Sequence, residues 1–198
     1  MPPYHHGDLR RALLESAADL LAEPGTQSLS LREVARRSGV SHAAPYRHFA
    51  DKIALEAGVA ESGFSSLRAA LVAASDSESG GDLASLEAVA VAYVGFAARN
   101  RPSFRAMFGT AFSERSKHPP LREASDAMFA VFLEVVSRCQ MSGAMRPGST
   151  RVHALALWSI LHGLAVLIVC GQLGSNDPPD ATERRARQMV RTVLEGLR

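Results

Sequence analysis

A chain of 198 residues, 46% of them hydrophobic, is long enough for one small and one medium domain with a sizeable core. Its 22 basic and 20 acidic residues leave a formal charge of only +2, which excludes a whole-chain polycation, so affinity for nucleic acid must come from local clustering. The two cysteines, Cys139 and Cys170, sit in separate apolar stretches, which excludes a spaced disulfide framework and points to a reducing cytoplasm; no export leader is expected before the first helix.

The first predicted helix, Gly7 to Glu23, is amphipathic. His5, His6 and Asp8 around its start read as a solvated terminus in preference to a metal site or a groove-reaching arm. Ser30 and Glu33 have capping-box spacing, with Leu29 and Val34 at the staple positions, so a second helix is predicted from Leu31 to Ser38. Val34 and Ala35 face the core there. Gly39 supplies a left-handed turn, Val40 an apolar plug and Ser41 a second N-cap, which predicts a third helix from His42 to Phe49. Pro45 must then lie in that helix's first turn, where a missing amide is tolerated. Steps of 100° put Pro45 and Phe49 on an inward face and His42, Ala43 and Tyr46 on an outer one. Small residues let the backbone approach base edges, His42 can donate or accept, and Tyr46 can reach a phosphate or a thymine methyl. Arg32, Arg36, Arg37, Arg47 and Lys52 surround this face against Glu33 and Asp51, a local surplus of about three positive charges suited to phosphates.

These residues resemble the TetR family of one-component regulators. The resemblance is carried by the capped helix, by Ala35-x-x-x-Gly39, by Tyr46-Arg47-His48-Phe49 and by Asp51-Lys52, after an amphipathic helix of the expected length. It covers roughly residues 4 to 65; beyond them a Trp158-x-x-x-His162-Gly163 pattern is similar to one branch of the family. Leu31 stands where the family commonly has threonine or serine. The resemblance implies that Arg32, Ser41, His42, Ala43, Tyr46, His48 and Lys52 lie at operator-contacting positions, to which the charge count adds Arg47. It also implies a homodimer on a palindromic double-stranded DNA operator, expected to repress and to be released by a small-molecule effector.

The remaining helices are predicted at Lys52 to Ala74, Asp82 to Asn100, Pro102 to Phe112, Pro120 to Met141, Ser149 to Leu173 and Thr182 to Leu197. They are separated by glycine- and proline-rich breaks, and no strand pattern competes. The chain is therefore read as all-α, about nine helices: an N-terminal three-helix helix-turn-helix DNA-binding domain (1–51) and a C-terminal helical ligand-binding and dimerisation domain (52–198). Tyr93, Phe96, Phe104, Met107, Phe108, Phe112, Met128, Phe129 and Phe132 concentrate in the middle helices, where the family places its effector cavity. Plain core packing is the competing reading of the same pattern. If a ligand binds, this lining favours a largely apolar molecule.

The segment from Ala154 to Leu173 nearly reaches bilayer length. Ser159, His162 and Gly163 interrupt its centre, so a buried helix is expected, with no membrane partner. The last helix presents Ala186, Met189, Val190, Val193, Leu194 and Leu197 at three- and four-residue spacing. Paired with Leu155, Trp158 and His162, four of these surfaces across a twofold axis would make a four-helix bundle. The predicted dimer interface is therefore Leu155, Trp158, His162, Met189, Val190, Val193, Leu194 and Leu197. One short reading helix covers too few base pairs, whereas a dimer reads two half-sites about one turn apart.

Catalysis has little to stand on: there is no H-E-x-x-H, no G-x-S-x-G and no phosphate-binding glycine loop. Cys139 and His162 lie far apart in sequence on apolar helices. Glu114 and His118 have helical metal-ligand spacing, but their segment reads as a loop, so neither metal nor cofactor is expected. The alternatives kept open are a DNA-binding factor without an effector and, behind it, a helical enzyme.

Overall fold

The structure is a computed structural model and describes residues 6–23, 29–173, 178 and 180–196. Its order is α1 (His6–Ala22), α2 (Leu31–Arg37), a 3-10 turn (Pro45–Arg47), α3 (Lys52–Asp76), α4 (Asp82–Arg99), α5 (Arg101–Met107), α6 (Thr110–Ser113), a second 3-10 turn (Arg115–Lys117), α7 (Pro119–Met141), α8 (Thr150–Val169) and α9 (Ala181–Gly196). The chain divides into two compact units, Met1–Phe64 with Arg101–Ala124, and Ser65–Asn100 with Ser125–Arg198. The expected functional boundary at 51/52 lies inside the first.

In the first unit Leu13, Ala17 and Leu20 of α1, Leu31 and Val34 of α2, and Leu55 and Val59 of α3 close on Leu29 and Phe49 in one apolar cluster. Leu29 and Val34 are both buried there, as staple residues should be. Leu31 is 7% exposed, a core residue where the family commonly has a hydroxyl. Helix α2 ends in a Schellman motif: Val40 N–H reaches Ala35 C=O at 3.0 Å and Gly39 N–H reaches Arg36 C=O at 3.2 Å. That geometry needs a left-handed residue, and Gly39 has φ +66°. At the helix's other end Ser30 is extended but its hydroxyl caps nothing. The expected capping box is absent because the Glu33 carboxylate turns forward to take two bonds from Arg36, at 2.9 and 2.5 Å.

The predicted helix from His42 to Phe49 is not an α-helix. An α-helix starting at Ser41 needs an amide at residue 45, and proline has none. The chain instead tightens: Ala44 N–H bonds Ser41 C=O at 2.9 Å, Arg47 N–H bonds Ala44 C=O at 3.2 Å, and only Pro45–Arg47 form a 3-10 turn. Pro45 and Phe49 are nevertheless both buried, on the inward side expected. Asp51 caps α3, its Oδ1 accepting from Ala54 N–H at 2.8 Å. The predicted helix from Pro102 to Phe112 breaks into α5 and α6, where Gly109 N–H folds back to Ala106 C=O.

In the second unit α4 packs against both α8 and α9. Leu86, Val89, Ala90, Tyr93, Val94 and Ala97 of α4 are wholly buried. Glu87, also buried, holds α9: Arg191 donates to it at 2.7 and 3.2 Å and Arg187 at 3.5 Å. These bonds from Arg191 hold the Glu87 carboxyl below its ordinary range. Helix α8 stops at Val169, short of the predicted Leu173, through a second Schellman motif in which Gln172 N–H reaches Leu167 C=O at 2.9 Å and Gly171 has φ +73°. By length and composition α8 could cross a membrane; one side of it, including Leu157, Leu161, Leu164 and Ile168, is buried within the unit.

Candidate nucleic-acid interface

The loop after α2 is short because Gly39 turns it and Val40 plugs it, which fixes where the 41–47 segment emerges. Ser41, His42, Ala43, Tyr46 and Arg47 are all exposed, as are Arg32 and Lys52 on the flanking helices. Tyr46, at 52%, is exposed far beyond what a packing role needs. The tighter winding of this segment still leaves its small, polar and aromatic side chains outward, because Pro45 and Phe49 anchor the opposite side. His48 differs. It is half-buried, and its Nε2 is fully enclosed without a hydrogen-bond partner, so that nitrogen faces protein and only the rest of the ring is open to a phosphate.

Folding alters the charge count. Arg36 is held by Glu33, Arg37 by Glu23 from α1's end, and Lys52 lies 3.4 Å from Glu56 one turn on. Among the described residues no carboxylate is paired with Arg32 or Arg47. These two therefore carry the unneutralised charge, and Lys52 can join them at small cost because an exposed i, i+4 pair is weak. Sequence reasoning did not see Glu23 and Glu56 as partners, since the first is placed only by tertiary folding.

The nine aromatic and methionine residues expected at an effector site fall into two groups. Phe104, Met107, Phe108 and Phe112 belong to the first unit, where Phe64, which the sequence pattern did not single out, joins them: its ring lies 5.3 Å from Phe108 and 5.5 Å from Phe112. Gly63 gives Met107 its place, because a Cβ there would lie 2.6 Å from Met107 Cγ. Tyr93, Phe96, Met128, Phe129 and Phe132 belong to the second unit. Here Tyr93 packs edge-on against Phe132 at 5.7 Å, and Phe129 against Trp158 at 5.6 Å. Trp158 Nε1–H donates to the Tyr93 hydroxyl at 3.0 Å, and that hydroxyl is hydrogen-bonded to His162 Nδ1 at 2.9 Å. Burial pushes the Tyr93 hydroxyl up and His162 down, so both are neutral near pH 7.

Of the residues expected at a dimer interface, Leu155 is 48% exposed, Trp158, His162, Met189 and Val193 are half-buried, and Val190 and Leu194 are core within the unit. Leu197 and His5 lie outside the described residues. The larger exposed apolar surface is a stripe of α8 that the sequence did not resolve: Val152, Leu155, Ser159, Gly163 and Val166, flanked by Ile160 and Leu167. A Cβ on Gly163 would meet nothing within 4 Å. Cys139 is buried, its thiol donates to Asp82 C=O at 3.4 Å, and burial pushes it up to about 11, so it is no nucleophile at neutral pH. Among the described residues no three potential ligands gather to hold a metal ion.

An all-helical chain that presents such a segment from a short glycine-ended helix defines a DNA-binding transcriptional regulator. Residues 86–193 match the family described as tetracyclin repressor-like, C-terminal domain, and residues 13–59 match bacterial regulatory proteins of the tetR family. The chain belongs to the TetR family. A solved structure described as a protein with unknown function from Rhodococcus sp. RHA1 is 36% identical, covers 100% of this chain and 99% of its own, and superposes with a TM-score of 0.82. The TetR family transcriptional regulator PfmR from Thermus thermophilus shares the fold, at 24% identity over 94% of this chain and 98% of its own, with a TM-score of 0.70. An HTH-type transcriptional repressor of Mycobacterium tuberculosis (strain ATCC 25618 / H37Rv) is 40% identical over 50 residues, so the match spans 25% of this chain and 27% of that relative.

Proposed function

We propose that a homodimer of this chain represses transcription in the cytoplasm by occupying a palindromic operator, and that a small, largely apolar effector releases it. The observation that carries this reading is the exposed set His42, Ala43 and Tyr46, flanked by Arg32 and Arg47 with no carboxylate paired to them among the described residues. His42, Ala43 and Tyr46 meet base edges and the sugar-phosphate edge; Arg32, Arg47 and Lys52, with Ser41, hold phosphates; His48 contributes only its open edge. Residues 1–51 do the reading, and 52–198 hold the effector and the partner.

The α8 stripe supports the dimer. Ser159 and Gly163 at its middle let a second copy's helix approach closely, and Leu155 and Val166 on either side supply apolar contact, with Met189 and Val193 of α9 at the margin. The effector's place is the Tyr93, Phe129, Phe132 and Trp158 group, whose polar anchor is the Tyr93 hydroxyl. Release requires that the ligand bind the low-affinity arrangement more tightly than the operator-bound one. A regulator without an effector is the second reading, favoured because Tyr93 and Phe132 are wholly buried against each other, as in a filled core.

Selection of genomic fragments by the purified protein at near-physiological salt, followed by footprinting, tests the first reading. A protected palindrome of two half-sites is expected. Binding that ignores sequence and vanishes with modest salt would leave only the phosphate contribution and overturn it.

A further inference from the structure

Phe49 ends the reading segment, and its ring is buried while Tyr46 on the other side is exposed. The ring is seated between α1 and α3. Gly58 of α3 makes the room: a Cβ there would come within 3.1 Å of the Phe49 ring and 2.9 Å of Leu14 of α1, so any side chain would push one of them away. Arg10 of α1 lies over the ring, its guanidinium carbon 5.7 Å from the centroid, within cation–π range. Glu61, about one turn beyond Gly58 on α3, accepts from Arg10 Nη2 at 3.1 Å.

Neither end of this bridge is core, since the Arg10 and Glu61 side chains are 46% and 31% exposed. An ion pair so open contributes little by itself. Its effect is directional: the carboxylate holds the guanidinium over Phe49, and Phe49 fixes the end of the chain that carries Tyr46 and Arg47. The turn there rests on short-range bonds, from Arg47 N–H to Ala44 C=O and from the His48 and Phe49 amides to Pro45 C=O. A 3-10 turn of that length does not hold its own shape, so its aim must come from what anchors it.

We infer that Arg10 and Glu61 are positioning residues for DNA reading: together they lock Phe49 and so set the direction of the 41–47 segment, although neither touches DNA. The role presupposes the reading face proposed above, whereas the lock itself does not. Arg10 is thereby assigned to an internal bridge and not to a phosphate, and a carboxylate becomes necessary for binding a polyanion.

The test compares Arg10→Ala and Glu61→Ala with the parent, each at a temperature where it is fully folded. In the free protein, amide hydrogen exchange should quicken about threefold at Arg47, His48 and Phe49 in both variants, the scale of one exposed cation–π contact, and stay parental at Ser38 and Val40, whose bonds end α2. Exchange unchanged at 47–49, or quickened alike at all these amides as in a general loss of stability, would overturn the lock. Binding to the selected operator should weaken by a similar factor in both variants, and more than binding to random DNA. Loss of charge alone predicts the opposite sign for Glu61→Ala, because removing a carboxylate favours any polyanion. A gain or no change there, or a salt slope reduced by about 0.9 in Arg10→Ala as for a lost phosphate contact, would overturn the positioning role. A parent that prefers no sequence while the exchange result holds would overturn the operator reading and leave the lock standing.

Discussion

Trp158 and His162, one turn apart on α8, grip the same hydroxyl of α4: Tyr93 accepts from the indole at 3.0 Å and shares a hydrogen bond with the imidazole Nδ1 at 2.9 Å. The Trp-x-x-x-His spacing is thus a two-point clasp on a buried oxygen. Tyr93→Phe removes that oxygen and strands two partners at once, so a loss of about 1–3 kcal/mol is expected. Denaturant unfolding followed by Trp158 fluorescence measures it. An unchanged midpoint would mean that the clasp holds nothing.

Gly39→Ala isolates a backbone cost. A Cβ there would find open space, so no clash arises, yet φ +66° is unfavourable for alanine by about 1–2 kcal/mol. Gly39→Asn should lose less, because asparagine tolerates this region. Equal melting temperatures for the two variants would contradict the assignment to backbone geometry.

The Glu87–Arg191 pair sets an acid response. Hydrogen bonds from Arg191 hold the Glu87 carboxyl below its ordinary 4.5, so the unfolded chain binds this proton more readily than the folded one. The pair's stabilisation is therefore complete above about pH 4.5 and is lost as pH falls through the lowered value. Glu87→Gln should be less stable at pH 7 and should lose less than the parent on acidification. Parallel stability curves would remove Glu87 from the acid response.

Tyr46 and Arg47 are neighbours with different expected signatures. Tyr46→Ala should weaken the selected operator more than random DNA and leave dimerisation intact. Arg47→Ala should weaken both alike and reduce the slope of log affinity against log salt by about 0.9, as loss of one phosphate contact does. Titrations at several salt concentrations separate the two, and a base-selective loss from Arg47→Ala would reassign it.

Leu155→Glu places a charge in the exposed α8 stripe without entering the core. Sedimentation should show a folded monomer in place of a dimer. A variant that stays dimeric would move the interface elsewhere.

The fold was largely legible because its helices are long and periodic and its stops are glycines with a mechanical role; Gly39 ends α2 as expected. What escaped depends on competition between local bonds. Pro45 was recognised as a constraint, but that it would reduce the whole 42–49 segment to turns depends on the amide it withholds from Ser41. Ser30 and Glu33 have the right spacing for a capping box, yet Arg36 outcompetes the backbone for Glu33, and spacing cannot rank the two. Glu23 and Phe64 were missed because their partners are brought to them from distant parts of the chain. On α9, periodicity marks Val190 and Leu194 as apolar without saying whether the chain's own α4 or a partner covers them; here α4 shares that burial.

Helix α2 has seven residues and no side-chain cap at its start. A segment that short has no appreciable stability of its own in water, so its shape is conferred by Leu13, Leu20, Leu55 and Phe49 beneath it. A genetic screen for loss of operator binding should therefore return many alleles in those core residues, none of which touches DNA. Such alleles would be temperature-sensitive and rescued by second-site changes that merely stabilise the unit, whereas true contact alleles would be neither.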